Sequence, residues 1–340
     1  MADYLTYEEL RKKGAPPKWW EPEMERAVFK DLMKRNNYRA FLSHGLYFVI
    51  LAAVGYLSAA LYVRGSLWCI LAFFVYGSLF GMCNSRVHES LHGTPFRTVF
   101  WNEIVYFLTS AMEIRCPLTT RWSHMIHHSY TIITGTDLEI LAPRPAKMWK
   151  LFLDFFYLNS VIFFLIPMLV LHSLGIPTET ARKVAPEAEF RKLFWSSRFT
   201  VVVHLAVIAL AIVLHSWLPV LLFSLPRLYG GWLIWALILA QHAGLAENVL
   251  DHRINTRSIR LNPVLSFLYM HMEHHTEHHI YPNIPFHALA RFRREIDSQM
   301  PPACTSLWDA YREIVPALWK QRHDTRYFIK RKVPKSRRRS

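Results

Sequence analysis

The chain has 340 residues, 52% of them hydrophobic and gathered into long uncharged runs, which argues against a water-soluble domain and makes a bilayer the expected solvent. Lys and Arg number 40 against 25 Asp and Glu, a net charge of +15 with much of the excess in the two tails; such tails favour a cytoplasmic membrane surface, and no nucleic-acid motif accompanies them. Cys69, Cys83, Cys116 and Cys304 form no C-x-x-C pair, which disfavours an iron–sulfur, rubredoxin-like or cysteine zinc site and a disulfide framework.

Residues 1–40 are polar and basic, with Arg11, Lys12, Lys13, Lys18, Lys30, Lys34, Arg35 and Arg39, so they are expected to be a cytoplasmic segment and not a cleavable signal. Residues 41–63 are uncharged and long enough to span about 30 Å of hydrocarbon. Arg64 and Gly65 turn the chain, and residues 66–85 return it. Residues 99–113, interrupted by Glu103, suit an interfacial helix. Residues 151–171 are apolar enough to span but carry Asp154, Asn159 and Pro167. Two further spans are expected at residues 199–222 and 228–245, with Pro226 and Arg227 as the far-side turn. These two bring the chain back to one side, so residues 151–171 are assigned as interfacial or re-entrant. The expectation is an all-α integral membrane protein with about four spans, a membrane domain over residues 41–295, and a basic cytoplasmic tail over residues 296–340.

Histidines cluster at the ends of these runs. His88 and His92 stand at i, i+4; His124, His127 and His128 at i, i+3, i+4; and the same spacing recurs in His275, His278 and His279, with His271 and His274 just before them. On helices each set projects from one face. Eight such imidazoles exceed what one zinc ion can use. They suit two metals, with iron favoured over zinc where no cysteine ligand accompanies them. Glu89, Asp137, Glu139, Asp251, Glu273 and Glu277 are placed to hold imidazole N–H groups, with His242 another candidate beside the ligands. Isolated histidines such as His44, His172 and His204 are read as structural.

The order H-x-x-x-H, H-x-x-H-H, H-x-x-H-H, followed by Tyr281, Pro282 and Pro285, resembles the membrane-bound fatty acid desaturase-like superfamily, over residues of about 40 to 295. That superfamily also includes alkane and carotenoid hydroxylases. The resemblance implies a non-haem di-iron centre under a cytosolic helical cap. It further implies O2 activation with electrons from a separate ferredoxin-like or b-type cytochrome donor, and an acyl substrate. It assigns His88, His92, His124, His127, His128, His275, His278 and His279 as ligands. Through an Asn-x-x-x-His segment it adds His252 as ninth ligand, with Asn248 holding a metal-bound water. His271 and His274 are extra to the pattern and make a second match to the third box; the Tyr-Pro spacing favours the register ending at His279. Desaturation is the first expectation, hydroxylation the next, and oxidation of a small polar metabolite a third. From another class, a histidine-rich metal transporter would place its ligands inside the spans, whereas these lie at their ends.

Overall fold

The computed structural model describes Glu9, residues 12–14 and residues 16–334; Arg11 and the basic run at residues 335–340 lie outside the described residues. After the short α1 (Arg26–Leu32), the first long helix is α2 (Asn37–Val63), started by Asn36, whose Oδ1 accepts the Arg39 N–H at 3.1 Å. Tyr47, Leu51, Gly55 and Ser58 form its buried stripe, while Val49, Tyr56 and Leu57 face outward as a lipid-facing surface would. The chain reverses at Gly65, in the left-handed region at φ +66°, and returns as α3 (Trp68–Gly81) and α4 (Asn84–Leu91). Together they make one apolar span, Trp68–Leu91, that carries the first histidine pair at its end.

The chain then crosses sideways in α5 (Val99–Met112) and α6 (Pro117–Ser129). Next come α7 (Met148–Phe155) and the helical stretch α8 (Leu158–Ser173), bent against each other by 89°. The polar residues of this segment build the bend: Asp154 Oδ1 accepts both the Ser160 N–H and its hydroxyl at 2.7 Å, and Asn159 donates to Oδ2. Tyr157 occupies the corner at φ +53°.

After the short α9 (Glu179–Val184), α10 (Phe190–Val213) is the third long apolar helix. It begins and ends about nine residues before the expected 199–222, because Arg191, Lys192 and Arg198 sit in its first turns and Arg198 donates to the Ser173 carbonyl instead of interrupting the helix. The reversal falls at His215, at φ +46°. Pro226 and Arg227, expected as that turn, instead open α11 (Pro226–Gly230), and Arg227 is 1% exposed. Then α12 (Trp232–His242) runs back towards the histidines; at 11 residues it is too short to cross a bilayer alone. The described residues therefore hold three helices long and apolar enough to span, or four if the bent pair is one span.

Close backbone approach fixes α11 against α3: a Cβ on Gly230 would overlap the backbone of Gly77. Small residues at such a crossing are what packing in a bilayer requires. The remainder, α13 (His252–Asn255), α14 (Pro263–Leu268), α15 (His275–Ile280), α16 (Phe286–Ile296) and α17 (Leu307–Gln321), forms a helical cap over the span ends. Trp19 and Trp20 strap this cap, stacking on His252 at 4.0 Å and under the Arg253 guanidinium at 3.5 Å.

Candidate metal centre

Helical spacing brings the three boxes to one place. His88 and His92 close α4, His124 and His128 lie one turn apart on α6, and His278 enters from α15; one nitrogen of each falls within 4.8 Å of the others. His127, His275 and His279 make a second such group, completed by His242 from the end of α12. The groups adjoin: the rings of His128 and His279 stack at 4.3 Å. Burial pushes the proton affinities of His124, His128, His275, His278 and His279 well down, and repulsion between the rings acts in the same direction.

Hydrogen bonds on the outer nitrogens fix the tautomers. His124 Nδ1 donates to Glu139 at 2.9 Å, and His127 Nδ1 to Asp137 at 2.8 Å. His242 Nδ1 donates to the Asn255 carbonyl at 2.9 Å, which admits only an N–H. Thr131 gives its hydroxyl proton to the His127 carbonyl, so its oxygen accepts from His279 Nδ1 at 3.1 Å. In its neutral form each of these rings is left with a bare Nε2 lone pair. Those lone pairs point at other imidazole nitrogens: His124 Nε2 at His128 Nε2 (3.0 Å), and both His242 Nε2 (3.1 Å) and His279 Nε2 (3.0 Å) at His275 Nε2. His275 has one proton to offer and cannot serve both. Buried His92 Nε2 has no partner at all. Converging lone pairs with too few protons between them are a donor set for cations, and two adjoining groups of five and four imidazoles fit two metal ions.

The carboxylates divide. For His127, burial alone would lower the proton affinity, but the Asp137 charge and hydrogen bond outweigh it and raise it; the same pairing holds Asp137 below the ordinary carboxylate range despite its burial. Asp137 and Glu139 thus accept hydrogen bonds from His127 and His124. Glu89, Asp251 and Glu277 do not: Glu89 accepts from Thr94 and the Phe286 N–H, Asp251 caps α13 and pairs with Arg253, and Glu277 binds Ser258 and Arg293. Glu273 meets the Ser266 hydroxyl and lies 3.7 Å from His271.

The ninth position also differs from the expected arrangement. His252 lies beside the converging nitrogens, its ring under Trp19 and 5.3 Å from that of His279, and is in neither group. Asn248 is exposed, and its Oδ1 accepts from the N–H and hydroxyl of Thr134. His242 stands in the second nitrogen group instead. The signal for it was a histidine ending the last apolar run, level with the other boxes. His271 and His274 stand outside both groups, His271 Nδ1 meeting the Ser266 hydroxyl at 2.9 Å.

A cavity of about 540 Å³ reaches the centre from the side, with His88, His124, His127, His242 and His275 on its wall. Its exposed lining includes the apolar Phe163 and Phe164 as well as Glu179, and its wall carries buried Tyr157 and Arg227 with half-buried Arg115, none of which the sequence motifs tie to the site. Arg227 is ion-paired with fully buried Glu113, which also accepts from Asn84. A charged residue inside an apolar run was the available signal for Arg227.

No curated protein matches this chain. Residues 65–311, most of the chain, match the family model described as fatty acid desaturase, and with the all-helical membrane architecture this places the protein in the fatty acid desaturase family.

Proposed function

We propose that the protein is an O2-dependent di-iron desaturase that introduces a carbon–carbon double bond into an acyl substrate. The observation that supports it is the pair of adjoining groups of bare imidazole nitrogens on the wall of a laterally open cavity. His88, His92, His124, His128 and His278 would hold one iron, and His127, His242, His275 and His279 the other. An iron pair bound there supplies O2 activation strong enough to cleave an unactivated C–H bond. The balance is two hydrogens from substrate, two protons and two electrons delivered from outside, and one O2, leaving an alkene and two waters.

The chain's own residues hold, orient and exclude. Asp137 and Glu139 keep the Nδ1 protons of His127 and His124 in place, so that the Nε2 atoms stay turned inward. The cavity wall positions the chain against the centre, and the apolar edge at Phe163 and Phe164 keeps bulk water away. Electrons come from a separate ferredoxin-like or b-type cytochrome carrier, reaching a centre on the cytoplasmic side. Of the arginines that follow the third box, Arg291 is engaged with Asp31 and Glu295, and Arg293 with Glu277 and Asp297, which leaves exposed Arg294, with no ion pair among the described residues, as the one free to meet an acidic carrier.

The test is mass spectrometry of lipids and small metabolites in cells expressing the chain or its His278→Ala variant. A product about 2 Da lighter than its precursor, seen only with the intact chain, is the expected result. A product about 16 Da heavier would replace desaturation by hydroxylation, and no oxidised product from an iron-loaded chain with a working donor would reject the reading.

A further inference from the structure

The wall of the cavity has one guanidinium that no carboxylate or carbonyl contacts among the described residues. Arg227 is neutralised by Glu113, Glu179 pairs with Lys183, and Glu139 is engaged with His124 and Ser123. Arg115 is different: its guanidinium makes no ion pair or hydrogen bond among the described residues, and its Nε is buried without a partner. It stands in the turn between α5 and α6, within electrostatic reach of His88, Glu139 and Tyr157. The Tyr157 hydroxyl is also buried without a partner, on a residue 3% exposed and held in the left-handed region. Its ring is pinned beneath the Arg227 guanidinium at 3.7 Å, so the hydroxyl has little freedom to seek water.

Two unsatisfied polar groups on one cavity wall are costly unless a ligand satisfies them. A guanidinium and a phenol together suit an oxyanion, one giving a forked pair of N–H donors and the other an O–H. A guanidinium with no contacting counter-ion suits an anionic group. Phe163 and Phe164 give the cavity an apolar, exposed edge, which suits a hydrocarbon remainder of the ligand entering from the bilayer side.

We propose that Arg115 and Tyr157 form the head-group site of the substrate, and that the substrate is an amphipathic monoanion, an alkyl chain ending in a carboxylate or phosphate. This rests on the oxidative function proposed above. Because Arg115 and the histidines line the same chamber, the anion and the oxidised carbon share it, and the distance between them is limited by the chamber's own length. An uncharged hydrocarbon would leave both polar groups bare.

The test uses the full iron-loaded chain in nanodiscs of zwitterionic lipid and three radiolabelled probes: dodecanoate, dodecyl phosphate and 1-dodecanol. Binding is corrected for partition into empty nanodiscs. At least one anion is expected to bind about tenfold tighter than the alcohol, as a charge-assisted contact allows, and the tighter of the two identifies the oxyanion. Arg115→Gln is expected to bring anion and alcohol to within about twofold while iron content stays at the wild-type level. Tyr157→Phe, which removes only an oxygen, is expected to lower the preference about threefold, and it decides the matter if Arg115→Gln does not fold. Equal binding of anion and alcohol by the wild type would overturn the proposal, as would an undiminished preference in the folded variants. Selective anion binding without any oxidised product, once O2 and a working electron donor are supplied, would instead reject the desaturase reading and leave the head-group site standing.

Discussion

At His242 a single hydrogen bond decides the chemistry of the ring. A carbonyl can only accept, so the 2.9 Å contact from Nδ1 to Asn255 puts the proton there and leaves Nε2 bare, facing the Nε2 of His275. The ligand set follows from such contacts and is open to direct challenge. His242→Ala is expected to lower the iron bound per chain, whereas His252→Ala and His271→Ala, which fall outside both nitrogen groups, are expected to keep it; metal analysis of the purified variants checks all three. Removing an orienting carboxylate should act more gently: Glu139→Gln and Asp137→Asn are expected to weaken iron binding by about 10- to 100-fold in a chelator competition, with the helices intact by circular dichroism. Eight of the nine converging imidazoles were legible in the sequence, because ligand spacing on a helix is a local property that periodicity reveals. The ninth was not. Whether His242 or His252 reaches the others depends on how the connection after α12 folds back, and that is set by tertiary contacts such as Trp19 on His252.

Among the elements, the outcome turned on where charge was tolerated. The two hydrophobic runs before the first box became helices near their expected positions. The α10 helix started earlier than expected because Arg198 reaches a carbonyl at the helix end, and α11 absorbed Arg227 because Glu113 answers it. Pairings across 25 and 114 positions, as in Arg198–Ser173 and Arg227–Glu113, leave no mark on local composition. The Arg227–Glu113 pair is expected to behave as buried ion pairs do: either Arg227→Met or Glu113→Gln alone should destabilise the fold by about 3–5 kcal/mol, and the double substitution should cost much less. Thermal unfolding in detergent tests this, and equal losses in the single and double variants would show that the pair is not a unit. The Gly77–Gly230 crossing makes a steric prediction as well. Gly230→Leu would drive a side chain into the Gly77 backbone and should abolish stable expression, while Gly45→Leu on α2, where an added Cβ meets nothing within 4 Å, should be tolerated.

For the whole molecule, the helices bring histidines from α4, α6, α12 and α15 to one level and cover them with the cap, while the bent α7–α8 segment leaves a side entrance. That arrangement joins an apolar approach to a nitrogen-lined centre, which is the layout needed to present a hydrocarbon chain to an oxidising metal pair. Composition and the three boxes made the class of architecture legible. The cavity was not, since its wall is assembled from segments spread over residues 84–275. The central claim is that this centre holds two irons. Metal analysis of the purified full-length chain, grown with iron and zinc both available, tests it most directly: the account predicts two irons per chain, lost in His128→Ala and His278→Ala variants that still insert into the membrane, and zinc in their place, or iron that survives both substitutions, would contradict it.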